Sequence, residues 1–353
     1  MDRGRTFELS PQRVDDRIGE LRVEFEAALE RSLKRTANLT PLDVGPVLHD
    51  RLGLVLDYFL ERFVRADLVS QLYHTRYRRA SRLVFLLAAA AVLIAAAQFI
   101  FQLPQWILSG EVGAIALVLL IIHRGNRQGW HRNWVDHRLL AERLRCGMYL
   151  AFLAGRALGE TVDHWSCRWV SRTWSVKEYE TVWNRRPCLE QLEESSLAVL
   201  KDFTCESWIG TQRHFNEHKA IAERRRHARV SLVSEVFFWL TFVAALTHLA
   251  PHSWYEQIHV DQHEVGRVLA FLVIVLPAVG TAFSGLRSHF GYKKMADRCV
   301  VMMDHLDVLR DHVEATESID AFCVIVWDIE SLMLQETADW HVDIGFRVIE
   351  AQG

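Results

Sequence analysis

The chain lacks the glycine-rich phosphate loop, the dinucleotide fingerprint, the nucleophile elbow and the kinase signature. Nothing in it argues for an enzyme. It also lacks an excess of either charge. Lys and Arg number 41 against 44 Asp and Glu, a formal net charge of −3, so no basic footprint points to nucleic acid. The six cysteines, Cys146, Cys167, Cys188, Cys205, Cys299 and Cys323, form no C-x-x-C pair. All six fall in segments that the charge pattern assigns to the cytosol, so neither a disulfide framework nor a zinc site is expected. The start, Met1-Asp-Arg-Gly-Arg-Thr-Phe7, has no apolar core behind its charges, so no secretory leader is expected there. The most informative absence is local. Two short turns, Gln102-Leu-Pro-Gln105 and Ala250–Gly266, contain no Lys or Arg.

Each of these turns joins two long apolar runs. The first pair is Leu83–Phe101 and Trp106–Ile122, the second Val230–Leu249 and Val268–Phe283. A hydrocarbon core of about 30 Å takes about 20 mostly apolar residues, with about 17 as a lower bound. The first and third runs meet this outright. The second does so with Glu111 near its outer end, and the fourth with Leu286 and a snorkelling Arg267. Arg76, Arg78, Arg79 and Arg82 precede the first hairpin, and Arg124, Arg127, Arg132 and Arg138 follow it. Arg213, Lys219, Arg224, Arg225, Arg226 and Arg229 precede the second, and Arg287, Lys293, Lys294 and Arg298 follow it. The positive-inside rule puts both termini and the central segment in the cytosol and both turns outside. Anionic headgroups account for the arginine clusters. The expected fold class is an all-α membrane protein of two tandem transmembrane hairpins, four spans in all, with long cytosolic helices.

Outside the spans the pattern is helical. Val14, Ile18, Leu21, Phe25 and Ala28 step by four and three over a helix from Val14 to Lys34, either a helix packing on its neighbour or a short coiled-coil seam. Thr40-Pro-Leu-Asp43 predicts the cap of a second helix with Pro41 at its first position. That helix carries Leu48, Leu52, Val55, Leu56, Phe59 and Phe63 and leads through Tyr73 into the first span. A long helix is expected from Asn126 to Leu158. Residues 159–187 hold Trp165, Trp169, Trp174 and Trp183 among Ser, Thr and Arg, and Ser175-Val-Lys-Glu178 has capping-box spacing. This stretch reads as an irregular packed region whose tryptophans fill a small core, stack on a planar ligand or dock on headgroups. Further helices are expected over Leu189–Cys205 and from Gly291 to Glu314. Phe322–Met333 is apolar with interspersed acids.

The chain repeats itself. Arg132-Asn-Trp-Val-Asp-His-Arg-Leu-Leu-Ala-Glu-Arg143 follows the second span, and Arg287-Ser-His-Phe-Gly-Tyr-Lys-Lys-Met-Ala-Asp-Arg298 follows the fourth. Three positions coincide and five more are similar in one ungapped register, which argues for a parallel duplication. The units drawn from it are 1–70, 71–207 and 208–353. A basic, aromatic lead-in helix, a tight two-span hairpin and a long helix with an aromatic–Arg–Ala–Glu pattern resemble the SLATT superfamily. These are two-transmembrane effector domains associated with SMODS nucleotidyltransferases and SLOG sensors. The first unit carries the pattern at Trp134, Arg138, Ala141, Glu142 and Arg145. The second carries it at Trp208-Ile-Gly-Thr-Gln212-Arg-His-Phe215, at Arg287, Lys293, Ala296, Asp297 and Arg298, and at Glu330-Ser-Leu and Glu336–Trp340 in the tail. Typical members have one hairpin, whereas this chain has two. The resemblance implies a prokaryotic conflict-system effector of the inner membrane that oligomerises with itself and perturbs the bilayer on a nucleotide-linked trigger. The alternatives are a non-conducting sensor or scaffold that recruits a cytosolic partner, and a metal-dependent membrane hydrolase. No cofactor is implied.

Several residues stand out as sites. Glu235 lies about a turn inside the third span and Glu111 near the outer end of the second. Ionisable groups in spans face a bundle interior or a water path, or stay hydrated when shallow. Gln98, Thr241 and His248 are candidates to line the same path as these two carboxylates. Ala91 with Ala95, and Gly280 with Ser284, are small-xxx-small pairs that admit close helix approach. Pro277 is expected to kink the fourth span. His214-Phe-Asn-Glu-His218 spells H-x-x-E-H, an inverted zinc-hydrolase pattern read here as chance spelling among 17 histidines. The outer loop with His252, Glu256, His259, Asp261, His263 and Glu264 is either a metal-binding or titrating cluster, or a solvated polar loop.

Overall fold

The computed structural model describes residues 9–154, 174–190, 192–249 and 262–345. Every regular element among them is helical. The helices are α1 (Pro11–Arg35), α2 (Val44–Phe101), α3 (Leu108–Arg127), α4 (Trp130–Leu153), α5 (Trp174–Asn184), α6 (Leu197–Phe203), α7 (Thr211–His248), α8 (Gln262–Phe290), α9 (Tyr292–Ala315) and α10 (Ile319–Gly345). Four stretches, within α2, α3, α7 and α8, are long and apolar enough to cross a membrane. Trp165 and Trp169 lie outside the described residues, as do His252, Glu256, His259 and Asp261 in the outer loop. The same holds for the side chain of Trp340.

The chain forms two compact units, each drawn from separated segments. The first takes Met1–His74, Trp130–His218 and Arg298–Arg347. The second takes Thr75–Gly129, Lys219–Asp297 and Val348–Gly353.

In the first unit, α1 starts with Pro11 in its first turn, where a missing N–H costs nothing, and ends with Lys34 and Arg35 at the negative end of its dipole. Val14, Leu21 and Ala28 are buried and Ile18 and Phe25 pack against the same core. The four-and-three stripe thus packs within the chain. α2 begins at Val44 rather than on Pro41, which lies in the preceding turn. Pro46 sits in the first turn, where the amides have no helical acceptor, so it sets the start. From there α2 runs 58 residues without a break.

The expected helix from Asn126 to Leu158 is instead broken at Gly129. Its φ of 58° ends α3, and α4 starts at the next residue. Gly291, with φ 57°, divides α8 from α9 in the same way. Ser175 does not cap a helix. It lies inside the first turn of α5, fully buried, and the region read as irregular contains this 11-residue helix. Nor does a separate helix span Leu189–Cys205. A single turn at Glu194–Ser196 opens α6, and a π turn, Thr204–Gly210, joins α6 to α7 directly.

Arg51 secures the first unit. It is buried, and its guanidinium donates to the carbonyls of Phe152 at 2.6 Å and Ala151 at 3.2 Å, in the last turn of α4. It also donates to Glu190 O at 2.6 Å. Burial lowers its pKa to about 10, so it remains a cation at neutral pH. A positive charge at the C-terminal end of a helix is the favourable arrangement.

Candidate functional site

The second unit contains the candidate spans and most of the residues singled out above. Its helices meet through small residues. A Cβ on Gly280 would lie 3.3 Å from Phe237 Cβ, so α8 and α7 touch there, and Ser234 Oγ donates to Gly280 O at 3.0 Å. Phe237 and Phe283 stack beside this contact. The tightest approach is at Gly285, where a Cβ would come within 2.8 Å of Phe85 Cε1. The sequence pairs pointed to Gly280 and Ser284 and passed over Gly285. Ala91 is buried and Ala95 half-buried. Pro277 lies inside α8, and the helix continues through it.

The polar candidates are distributed over separate roles. Gln98 Nε2 donates to Leu103 O at 3.3 Å and Gln98 O accepts from Leu103 N at 3.2 Å, so this residue closes the end of α2. Thr241 Oγ1 donates to Phe237 O at 2.8 Å within its own helix. His248 is exposed in the last turn of α7, where a basic group suits the dipole. Glu111 occupies the first turn of α3, where a carboxylate suits the opposite pole. Arg267 is more than a snorkelling cation. It donates to Ile100 O at 3.0 Å, capping α2, and lies over the Phe101 ring. Arg287 donates to Ser231 Oγ at 2.9 Å and to Ser284 Oγ at 3.4 Å.

Glu235 stands apart. Its neighbour Ser234 is buried against α8, which turns Glu235 to the outside of the unit. Among the described residues it has no hydrogen-bond or ion-pair partner. Leu232, Val236, Trp239, Phe242, Val243 and Leu246 share its exposed side of α7.

In the first unit the family-pattern residues sit on α4 and around the π turn. Trp134 stacks on His74 at 4.5 Å. Arg138 and Arg145 both pair with Glu142, and Arg138 also reaches Asp67 at 3.5 Å. Ala141 is buried. Arg143 and Glu330 are both buried, and both bear on the Cys146 thiol, which burial pushes far up. Trp174 donates to Asp136 Oδ2 at 3.1 Å, and Trp183 is buried with Arg186 over its ring at 3.9 Å. Trp183 packs in the core, whereas Trp174 is exposed. In the second pattern, Ala296 is buried, Lys293 and Asp297 are exposed, and Arg298 donates to Glu336 Oε1 at 3.2 Å.

The π turn holds Trp208, which is buried and stacked on Tyr149 at 4.6 Å. The Thr211 N–H bonds Trp208 O, so Ser207 O, four residues before Thr211, takes the Tyr149 hydroxyl at 2.9 Å instead. Cys205 O accepts from Arg310 at 3.0 Å. A Cβ on Gly210 would sit 2.9 Å from Cys205 O, so this turn requires glycine. Arg31 and Arg35 of α1 pair with Glu206 in the turn. Gln212 is buried just beyond, and Phe215 is exposed. The sequence marked Trp208 and Gly210 as part of a motif but gave no sign of the π geometry. Arg310 and Tyr149 escaped it altogether.

His214 and His218 bring their Nε2 atoms to 3.0 Å on the exposed side of α7. Among the described residues, no third His, Cys, Asp or Glu joins them as a metal-binding group.

No protein-family model, curated protein or solved structure matches this chain.

Proposed function

We propose that the chain is a multi-pass effector of a prokaryotic conflict system in the inner membrane, with two tandem hairpins and both termini in the cytosol. It oligomerises and perturbs the bilayer when a nucleotide-linked sensor or nucleotidyltransferase system triggers it. Four helices long and apolar enough to cross a membrane support this reading. The arginine-rich flanks and the SLATT-like pattern supply the orientation and the class of activity. The observation that carries the reading furthest is Glu235. A carboxylate on the outside of a candidate span calls for a water path or a protein partner.

A second reading is a non-conducting sensor or scaffold. It is favoured by the local hydrogen bonds of Gln98 to Leu103 O and of Thr241 to Phe237 O, which give both polar groups a structural use. Membrane potential followed by dye during induced expression in a bacterium separates the two. Under the effector reading the wild-type chain depolarises the cell, and Glu235→Gln weakens the effect while insertion stays normal. An inserted wild-type chain that leaves the potential intact in the presence of its trigger supports the scaffold.

A further inference from the structure

We propose that His214 and His218 form a two-imidazole site for a divalent first-row transition ion of the nickel or copper kind, with water in its remaining positions. The site lies in the first two turns of α7 and is independent of any membrane activity.

The two residues are four apart on one helix, the spacing that sets side chains one above the other. Both are exposed, and their Nε2 atoms approach to 3.0 Å with the rings nearly perpendicular, at 84°. Other helical histidines of this chain use the ring differently. His49 Nδ1 lies 2.9 Å from Gly45 O, and His137 Nδ1 lies 2.8 Å from Asn133 O, each carbonyl four residues back. His214 and His218 make no such backbone bond among the described residues, and there their polar contact is with each other.

In water, one N–H···N bond between two exposed rings gains little. A metal ion draws more from the same arrangement. Nitrogens about 2.1 Å from an ion lie about 3.0 Å apart when they subtend about 90°, the angle between neighbouring ligands in square-planar and octahedral sites. Tetrahedral ligands at that range lie about 3.4 Å apart. The observed 3.0 Å therefore fits nickel or copper better than zinc. When the ion enters, the ring whose Nε2–H lies between the two nitrogens moves that proton to its Nδ1. Both Nε2 lone pairs then face the metal, and each ring keeps one N–H.

The charges beside the pair leave it open to a cation. Arg213 donates to Asp307 Oδ1 at 2.6 Å and lies 3.9 Å from Glu217, so two carboxylates offset its charge. Glu217 is the acid of the H-x-x-E-H spelling. It belongs to that ion pair and is not set out as a hydrolytic base, so the motif is a binding site and not a hydrolase centre.

Protection from diethylpyrocarbonate, mapped by mass spectrometry, tests this on the full chain purified in detergent without a polyhistidine tag. Nickel(II) alone is the probe. His214 and His218 are expected to become protected together, while the exposed His248 and His305 stay reactive. In His214→Ala, protection of His218 should need at least about tenfold more nickel, since even the loss of an outer-shell partner costs that much. His218→Ala should do the same to His214. Both side chains are exposed, so each variant should melt as the wild type does without metal. No protection of the pair, equal protection of His248 and His305, or protection of His218 unmoved by His214→Ala overturns the site. Zinc(II) protecting the pair at lower concentration than nickel(II) overturns the choice of ion.

Discussion

Gln102 adopts a left-handed conformation with φ 51° immediately after α2, in the tight turn before α3. A side chain there costs about 1–2 kcal/mol that glycine avoids. Gln102→Gly is therefore expected to stabilise the protein by about 1 kcal/mol, read as a raised midpoint of thermal unfolding in detergent. A lowered midpoint would mean that the Gln102 side chain makes a contact worth more than its strain. Gly129 and Gly291 show the same geometry without the cost. Their role was half legible. Gly291 was readable as a helix start, while Gly129 was absorbed into a helix because Trp130, Trp134, His137 and Ala141 repeat so regularly after it. Periodicity reports which face is buried, not whether the axis bends. Arg51 shows the opposite limit. Its three carbonyl acceptors come from residues about a hundred or more positions away, so no local pattern could announce it.

At the scale of elements, apolar runs and basic flanks located all four candidate spans, because length and composition suffice for that. The π turn was invisible, since its cause is tertiary. Tyr149 and Arg310 take the carbonyls that a regular helix would satisfy by itself. Gly210→Ala places a methyl group 2.9 Å from Cys205 O and should disfavour the turn. The expected outcome is a loss of about 1–3 kcal/mol of stability, with changed fluorescence from Trp208 as its stack on Tyr149 is disturbed. An unchanged spectrum and melting point would show that the π turn accommodates the methyl group. The two repeated segments differ in a related way. Gly129 lies three residues before Arg132, whereas Gly291 lies four residues after Arg287. The break has therefore moved by seven residues, two helical turns, which preserves the facing of the side chains.

For the whole molecule, the orientation proposed for the spans rests on arginine placement and is open to direct test. Green fluorescent protein fused after Gly353 is expected to fluoresce, as cytosolic fusions do, and alkaline phosphatase fused after Leu103 is expected to be active. Inactive phosphatase with a fluorescent C-terminus would leave the first hairpin uninserted. The candidate site is less legible than the spans at this scale. Glu235 was found because an acid in an apolar run is conspicuous. That it faces outward follows from Ser234 bonding Gly280 O, a pairing between helices that spacing alone does not fix.

The discontinuity of the two units has a consequence for the order in which the protein is made. The first unit takes a segment from Arg298 onward, and α10, which packs on α4, is synthesised after α9. By then the ribosome has already delivered all four apolar helices. The core of the first unit is therefore incomplete until α10 has been made, with the Cys146 thiol awaiting the buried Glu330 carboxylate that bears on it. Until that moment α4 exposes a face bearing both apolar groups and a cation, the kind of surface that chaperones shield.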